Sequence, residues 1–318
     1  MSAADSMQRN FVGYANNPPD FEWPGGHRLA LNIVINYEEG AERTPSEGFP
    51  AGETLVEFKY HVDAGERELF EESTYEFGSR VGIWRLLNLL DDFEVVPTIF
   101  GCALALERNP SVAEAIKSRG CDVVGHGYRW IPHAGLSYDE ERAEIRRAAS
   151  SFADVTGYTI KGWFTRPPQT VNTRRALAAE GLLYDSGAVN DDVPYFDTVD
   201  GRPFLVVPYS LDVNDVRYWK GQFFTPSDFA EYAIASFDVL RAESVSRTSR
   251  MMSVGLHPRI IGRPGRLSGL ARFLEHVRRF DDVWVTGRDA IADFWASSYG
   301  GEGLWNWTDG RAQETDEA

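Results

Sequence analysis

The sequence predicts an α/β fold, a (β/α) barrel of about eight strands. Short apolar segments alternate with helical patterns along the chain, and no segment repeats another. This alternation is typical of parallel sheets with helical connections, and 318 residues exceed the roughly 250 that such a barrel needs. An open doubly wound sheet would need a phosphate-binding glycine turn or a ligand crevice of some other kind. The candidate turn, Gly262-Arg-Pro-Gly265, lacks the Lys-Ser/Thr of a P-loop and the third glycine of a dinucleotide turn.

The first predicted strand leads directly into two carboxylates. Apolar and polar residues alternate through residues 30–36, and Glu38, Glu39 and Gly40 follow. This order indicates a buried strand that delivers both carboxylates to one edge of the sheet. The alternative is that both glutamates lie on an ordinary solvated turn.

The remaining elements follow from periodicity and from capping signals. Ser137 and Glu140 form a capping-box pattern, and Asn109-Pro110 begins another helix. Segment 40–78 shows no clear period and is expected to cover a site or form a subunit contact. The further strands are predicted at 95–100, 121–125, 161–165, 182–185, 204–208, 251–256 and 283–286, and the helices at 79–90, 110–120, 137–155, 172–181, 225–241 and 268–280.

We expect one barrel domain over residues 29–298. Residues 1–28 are rich in Pro, Asn, Gly and aromatic residues and are predicted to form an arm packed on the barrel. Residues 299–318 are predicted to be an acidic, flexible tail.

Composition restricts the classes of function. The chain has 32 basic and 48 acidic residues and a net charge of -16, which disfavours binding to nucleic acid or to anionic membranes. It has no apolar signal segment at its start and no run of about 18 apolar residues, so a cytoplasmic location is expected. Cys102 and Cys121 are expected to be free core residues rather than a disulfide or part of a thiolate metal cluster.

Polar side chains follow the predicted strands at the carboxyl end. Taken singly, each has an ordinary explanation: a histidine after an apolar strand is often structural, and an arginine before Pro-Pro is often in a loop salt bridge. Because the carboxyl ends of barrel strands share one mouth, their recurrence predicts a common site. The residues in this position are Glu38, Glu39, His126, Arg166, Asp185, Asp212 and His257.

These motifs resemble the polysaccharide deacetylase superfamily, or carbohydrate esterase family four. The matching segments are Tyr37-Glu-Glu-Gly40, Arg166-Pro-Pro168 and Leu256-His257. Within the superfamily the sequence is most similar to the bacterial metal-independent allantoinases and cyclic-imide hydrolases. That similarity rests on residues 17–26, 36–40, 72–80, 125–130, 191–195 and 251–257.

The resemblance implies a distorted barrel with seven to eight strands and a homotetramer. It also implies ring-opening hydrolysis of a small cyclic amide, either an allantoin-like ureide of purine breakdown or a cyclic imide. The loop Thr165–Thr170 departs from the allantoinase pattern and leaves room for a substrate other than allantoin.

The metal positions of the superfamily are altered in this sequence. Glu39 stands in place of an aspartate, His126 matches the first histidine, and Trp130 replaces the second. A catalytic zinc generally needs three protein ligands, so no cofactor is expected. The alternative is zinc or another divalent metal held by Glu39, His126 and His133.

The resemblance also implies the roles of the site residues. Glu38 is the expected general base, with its pKa raised by Glu39 and by burial. His257 is the expected acid, and Arg166 is expected to orient Glu38 or to hold the oxyanion. The residues expected to contact substrate are Glu39, His126, Trp130, Glu72, Tyr75, Arg80 and Asp185. Two alternatives remain: a metal-dependent N-deacetylase of an acetylated sugar or peptidoglycan, and a non-catalytic binding barrel.

Overall fold

The computed structural model describes residues 9–300. Residues 1–8 and 301–318 lie outside the described residues, so most of the tail predicted over 299–318 falls outside the structure. No helix within residues 9–300 has both the length and the apolar character needed to cross a membrane.

Ten strands within residues 9–300 form one sheet. Across the sheet their order is β6, β7, β5, β4, β3, β2, β1, β9, β8, and β10 pairs with the first residues of β1. All neighbouring strands are parallel except in the β6–β7 hairpin. The strands are β1 (Leu29–Tyr37), β2 (Thr98–Gly101), β3 (Val123–Gly125), β4 (Gly162–Trp163), β5 (Tyr184–Asp185), β6 (Tyr195–Val199), β7 (Arg202–Val206), β8 (Val213–Asn214), β9 (Arg250–Leu256) and β10 (Val283–Val285).

The sheet curls into a distorted barrel, as the contacts of one side chain show. That side chain reaches strands from both halves of the strand order. The guanidinium of Arg288 donates to Ser186 after β5, to Asn32 in β1, to Ser253 in β9 and to the carbonyl of Val207 after β7. No ladder joins the two edge strands, β6 and β8, in the described part of the chain, so backbone hydrogen bonds leave the barrel open between them. The predicted α/β barrel fold is confirmed.

The helices cover the outside of the barrel. A helix is present at each of the six predicted positions, and α5 begins with the predicted capping box of Ser137 and Glu140. A π-helical turn, Gly78–Gly82, joins α1 to α2. The helices are α1 (Leu69–Phe77), α2 (Ile83–Asp92), α3 (Ala103–Arg108), α4 (Pro110–Ser118), α5 (Tyr138–Thr156), α6 (Thr173–Ala179), α7 (Pro226–Ser246), α8 (Pro258–Ile261), α9 (Pro264–Val277) and α10 (Arg288–Tyr299).

The alternation in β1 separates two apolar clusters. Leu31 and Ile33 belong to the cluster that packs with the surrounding helices, whereas Val34 packs in a second cluster with Phe100 and Phe164. Polar residues of β1 also lie inside and have partners: the amide of Asn32 donates to Oγ1 of Thr98 at 2.8 Å. Side chains therefore fill the barrel, and its mouth remains the place where polar groups gather.

The described part of the N-terminal arm packs against α10. Phe21 meets Trp23 and Trp295 edge to face, with ring centroids 4.8 and 5.1 Å apart. The indole N–H of Trp23 donates to the carbonyl of Arg250 at 2.8 Å, which links the arm to β9.

Candidate active site

The carboxyl ends of β1, β3 and β9 bring three of the expected side chains together. Ile35 of β1 is in register with Leu256 of β9, so the residues that follow these strands share one edge. Oε1 of Glu38 lies 3.1 Å from Nε2 of His126 and 3.6 Å from Nε2 of His257. Glu38 is 1% exposed, His126 2% and His257 7%, so the group is buried in the mouth of the barrel.

Glu38 is an ionised carboxylate in this setting. Burial opposes its ionisation, but Arg259 and His257 outweigh burial and hold the pKa of Glu38 well below its usual range. The expected rise in the pKa of Glu38 is therefore wrong. Burial instead raises the pKa of the neighbouring Glu39, and the negative charge of Glu38 adds to that rise.

His257 is held by Asp215, which follows β8. Nδ1 of His257 donates to Oδ1 of Asp215 at 2.6 Å, and the His257 backbone N–H donates to Oδ2 at 2.7 Å. Burial favours the neutral imidazole, but Asp215 and Glu38 outweigh it and raise the pKa of His257 to about 9. At neutral pH, His257 is therefore a proton donor beside an ionised carboxylate.

His126 has its two ring nitrogens in different surroundings. Nδ1 donates to the carbonyl of Phe164 at 2.6 Å, because a carbonyl oxygen can only accept. The indole N–H of Trp130 donates to Nε2 at 3.1 Å. Nε2 can accept from Trp130 or donate to Glu38, but its single position cannot do both. Trp130 thus competes with Glu38 for Nε2 of His126, which was expected to contact substrate.

Glu39 is bound to Arg259 on α8. Oε1 of Glu39 accepts from Nη1 and from the backbone N–H of Arg259, each at 3.2 Å. Nη2 of the same guanidinium donates to Oε2 of Glu38 at 2.6 Å. Arg259 therefore joins the two neighbouring carboxylates, and it is 1% exposed.

Arg166 is buried nearby but has other partners. Its guanidinium donates to both carboxylate oxygens of Glu53, at 2.7 and 2.5 Å, and to the carbonyl of Trp130 at 2.6 Å. It also stacks over the Trp130 ring, 3.8 Å from the centroid. Burial opposes ionisation of Glu53, but Arg166 outweighs it and lowers the pKa of Glu53 to about 2. The structure thus places Arg166 against Glu53 and Trp130, so its expected contact with Glu38 is wrong.

Of the three expected substrate contacts within residues 72–80, only Tyr75 lies against the cluster. Its ring is 4.6 Å from the guanidinium carbon of Arg259. Glu72 instead binds Arg67 and Thr44. Arg80 is on the surface, paired with Glu76 one helical turn away.

The two expected aspartates also have partners outside the cluster. Asp185 accepts from Nε of Arg174 at 2.9 Å and from the backbone N–H of Gly187 at 2.7 Å. Asp212 is half exposed and accepts from Tyr232 at 2.6 Å. Asp215, three residues further on, is the aspartate that reaches the site.

The alternative metal ligands do not converge. Glu39 is taken up by Arg259, and Nε2 of His126 already receives the Trp130 N–H. Nδ1 of His133 faces Oε1 of Glu141 at 3.1 Å. Within residues 9–300 no three His, Cys, Asp or Glu side chains form a group that could hold a metal ion. The residues present therefore do not fit the metal site of the superfamily.

Two residues of the cluster, Arg259 and Asp215, were not predicted from the sequence, and neither was Glu53, the partner of Arg166. Arg259 lies two residues after His257, so its position beside a candidate acid was a usable signal. Asp215 follows a strand of only two residues, β8, which the sequence analysis did not predict. Glu53 lies in the segment without a clear period, and no pattern indicated its direction.

Two large cavities in the described residues lie away from this cluster. One, of about 800 Å³, is lined by the arm and by residues 190–193 and 195–198. The other, of about 520 Å³, lies between α7 and β9. Neither is lined by Glu38 or His257, so the candidate site rests on its chemistry rather than on cavity size.

Comparison with known proteins points to one family. A model of the family named polysaccharide deacetylase matches residues 72–183. A Schizosaccharomyces pombe relative that carries the same name is 36% identical over 313 residues, which is 92% of this chain and 98% of the relative.

Two solved structures are similar over almost the whole chain. A Pseudomonas aeruginosa structure also named polysaccharide deacetylase is 39% identical, with a TM-score of 0.88 over 93% of this chain and all of that one. A structure of PuuE allantoinase is 41% identical, with a TM-score of 0.87 over 93% of this chain and 99% of the other.

Proposed function

Because the chain belongs to the polysaccharide deacetylase family, we propose that it is a hydrolase that opens the C–N bond of a small cyclic amide, an allantoin-like ureide or a cyclic imide. Hydrolysis of a C–N bond is common to the deacetylases and to the allantoinase that this chain resembles. The choice of a cyclic amide is the part that goes further.

The observation that carries the proposal is the pair of Glu38 and His257, an ionised carboxylate 3.6 Å from a protonated imidazole. Both groups are already in the protonation state that acid–base hydrolysis requires at neutral pH. Within residues 9–300 no three His, Cys, Asp or Glu side chains around them could hold a metal ion, and the indole N–H of Trp130 donates to Nε2 of His126. The similarity to an allantoinase supports the same reading.

In the proposed reaction, Glu38 takes a proton from water as the water oxygen attacks a ring carbonyl carbon. The C–N bond then breaks, and Nε2–H of His257 gives its proton to the leaving nitrogen. The product is a single ring-opened molecule, which carries the new carboxylic acid at one end and the released amide or urea nitrogen at the other. Glu38 and His257 face each other, so the proton can return from the carboxyl group to the imidazole after the product leaves.

The low pKa of Glu38 bears on the choice of substrate. A carboxylate that is easily ionised is a weak base, so it gives little driving force for deprotonating water. Such a base suits an activated carbonyl. The nitrogen of an imide or ureide carries a second acyl group, which makes it a better leaving group than the nitrogen of an acetamide.

The second candidate is metal-dependent removal of an acetyl group from a sugar or from peptidoglycan. It is favoured by the deacetylase name of the family model and of the relatives. It is disfavoured by Trp130, because the indole N–H of Trp130 donates to Nε2 of His126, the atom that would have to bind the metal.

A substrate screen with metal analysis separates the two candidates. The purified protein, before and after treatment with a chelator, is assayed on allantoin, hydantoin, succinimide, a dihydropyrimidine and an N-acetylated sugar. The proposal predicts ring opening that the chelator leaves unchanged. Stoichiometric zinc together with chelator-sensitive deacetylation would establish the second candidate instead.

A further inference from the structure

Arg259 occupies a position in the site to which the sequence analysis assigned no role. It lies in α8, directly after His257 and Pro258. Nη2 donates to Oε2 of Glu38 at 2.6 Å, and Nη1 donates to Oε1 of Glu39 at 3.2 Å. Two nitrogens of one planar group therefore fix two neighbouring carboxylates, which restricts the rotation of Glu38 more than a single contact would.

The other contacts of Glu38 are weaker constraints on its orientation. Nε2 of His257 lies 3.6 Å from Oε1 of Glu38, so the imidazole does not fix the carboxylate and can exchange a proton with it. His126 shares its Nε2 with the indole of Trp130. Arg166, the arginine expected to hold Glu38, gives its donors to Glu53 and to a backbone carbonyl.

Aromatic rings enclose the guanidinium of Arg259. Tyr75, Trp130 and Trp219 lie with their ring centroids 4.6, 5.1 and 5.4 Å from its central carbon. Such rings attract a cation and keep it out of water, which strengthens its pairing with Glu38. Burial opposes the charge of Arg259, but Glu38 and Glu39 outweigh it and raise its pKa further.

The backbone around α8 is shaped to hold this side chain. A β-carbon at Gly78 would lie 2.5 Å from Oε1 of Glu39, and one at Gly82 would lie 2.1 Å from the carbonyl oxygen of Pro258. Both glycines belong to the π-helical turn, a feature that is frequent at functional sites. The turn therefore packs directly on Glu39 and on the start of α8, and a side chain at either glycine would displace them.

We propose that Arg259 is the positioning residue for the general base Glu38 and takes the role expected of Arg166. The inference rests on the proposed function, because it assigns to Arg259 the orientation of the carboxylate that accepts the proton from water. Arg166 acts one step further away, by fixing Trp130 and Glu53.

The first test compares variants on the cyclic amide that the wild type opens. Arg259→Ala should lower kcat by about 100-fold, the cost of a small misplacement of a catalytic group, while KM changes little. Arg259→Lys, which keeps the charge but not the planar pair of donors, should fall between Arg259→Ala and the wild type. Arg272→Ala is the control, because Arg272 is exposed and donates only to Ser227 among its hydrogen bonds in the structure.

Chemical rescue distinguishes positioning from a merely structural role. A low, non-denaturing concentration of guanidinium chloride should restore part of the kcat of Arg259→Ala, because the free ion can occupy the space between Glu38 and Glu39. It should leave the kcat of the wild type and of Arg272→Ala unchanged. A folded Arg259→Ala with wild-type kcat, or a loss confined to KM, would overturn the proposal.

A second test needs no substrate. Urea unfolding is measured for the single variants Glu38→Gln, Arg259→Met and Arg166→Met. It is also measured for the two double variants that combine Glu38→Gln with each arginine substitution. The shifts in the urea midpoint should be clearly non-additive for the first pair and closer to additive for the second. Equal coupling in both pairs, or larger coupling with Arg166, contradicts the assignment. If the wild type opens no cyclic amide, the proposed function fails, and this measurement still decides the role of Arg259.

Discussion

Arg259 at the mouth of the barrel and Arg288 inside it are both buried, at 1% and 0% exposure, but their partners differ. Arg259 binds two carboxylates. Arg288 binds only neutral acceptors among its hydrogen bonds in the structure: two serine hydroxyls, one asparagine carbonyl and two backbone carbonyls. Burial accordingly lowers the pKa of Arg288, whereas the carboxylates raise the pKa of Arg259 in spite of burial.

The difference separates a structural role from a chemical one. Arg288 connects strands across the interior through neutral hydroxyl and carbonyl dipoles, so its contribution is to hold the barrel together. At the mouth, opposite charges are concentrated in one small cluster of Glu38, Glu39, His257, Asp215 and Arg259. Substitutions inside should therefore reduce stability, and substitutions at the mouth should reduce turnover.

The largest expected effect of this kind is at His257. His257→Gln removes the proton donor and should lower kcat for ring opening by about 100- to 10,000-fold. Steady-state kinetics measure the loss, and thermal unfolding should show that the variant folds. The matched control is His133→Gln, since His133 is also buried but binds Glu141 away from the cluster. A control that loses as much kcat as His257→Gln would remove the distinction between the two histidines.

At Arg288 the expected effect is on stability. Arg288→Met leaves several buried acceptors without a donor, and each orphaned group costs about 1 to 3 kcal/mol, so the free energy of unfolding should fall by at least about 3 kcal/mol. Urea unfolding measures it against Arg272→Met, an exposed arginine whose replacement should change stability by about 0.5 kcal/mol or less. Equal losses in both variants would show that Arg288 does not hold the strands together.

The pH dependence of the reaction gives a smaller and more specific effect. His257 must be protonated to act as the acid, so kcat should fall as pH rises through the pKa of about 9. On the acid side, Glu38 stays ionised to well below its ordinary pKa, so activity should persist into mildly acidic solution. Asp215→Asn removes a charge that raises the pKa of His257, so the alkaline limb should move to lower pH, by about 1 to 3 pH units. An alkaline limb at the same pH in both proteins would show that His257 is not the titrating acid.

Much of the fold could be predicted from the sequence, because local signals and packing agree. The capping box at Ser137 predicts the start of α5, and the alternation before Glu38 predicts β1. The strands β6 and β8 were missed: β8 has only two residues, and β6 is held by its hairpin partner. The helices α1 and α10 also lacked a period clear enough to predict them.

The site was harder to predict than the fold, because position after a strand does not specify a partner. The position after a predicted strand placed Glu38, His126 and His257 at one edge, where the structure brings them together. That position also placed Arg166 there, but which carboxylate an arginine meets depends on the path of segment 40–78, which carries Glu53 to it. Arg259 reaches Glu38 only because α8 turns back directly after β9.

The central claim is that Glu38, rather than the adjacent Glu39, is the general base of a cyclic amide hydrolase. The most direct test is kcat/KM for ring opening by the wild type, Glu38→Gln and Glu39→Gln, each isosteric and each confirmed to be folded. Glu38→Gln should lower kcat/KM by at least about 1,000-fold. Glu39→Gln should keep a clearly larger share of kcat/KM, because Glu39 binds Arg259, whereas Glu38 is the glutamate that faces His257. A folded Glu38→Gln enzyme that opens the ring as fast as the wild type would contradict the account.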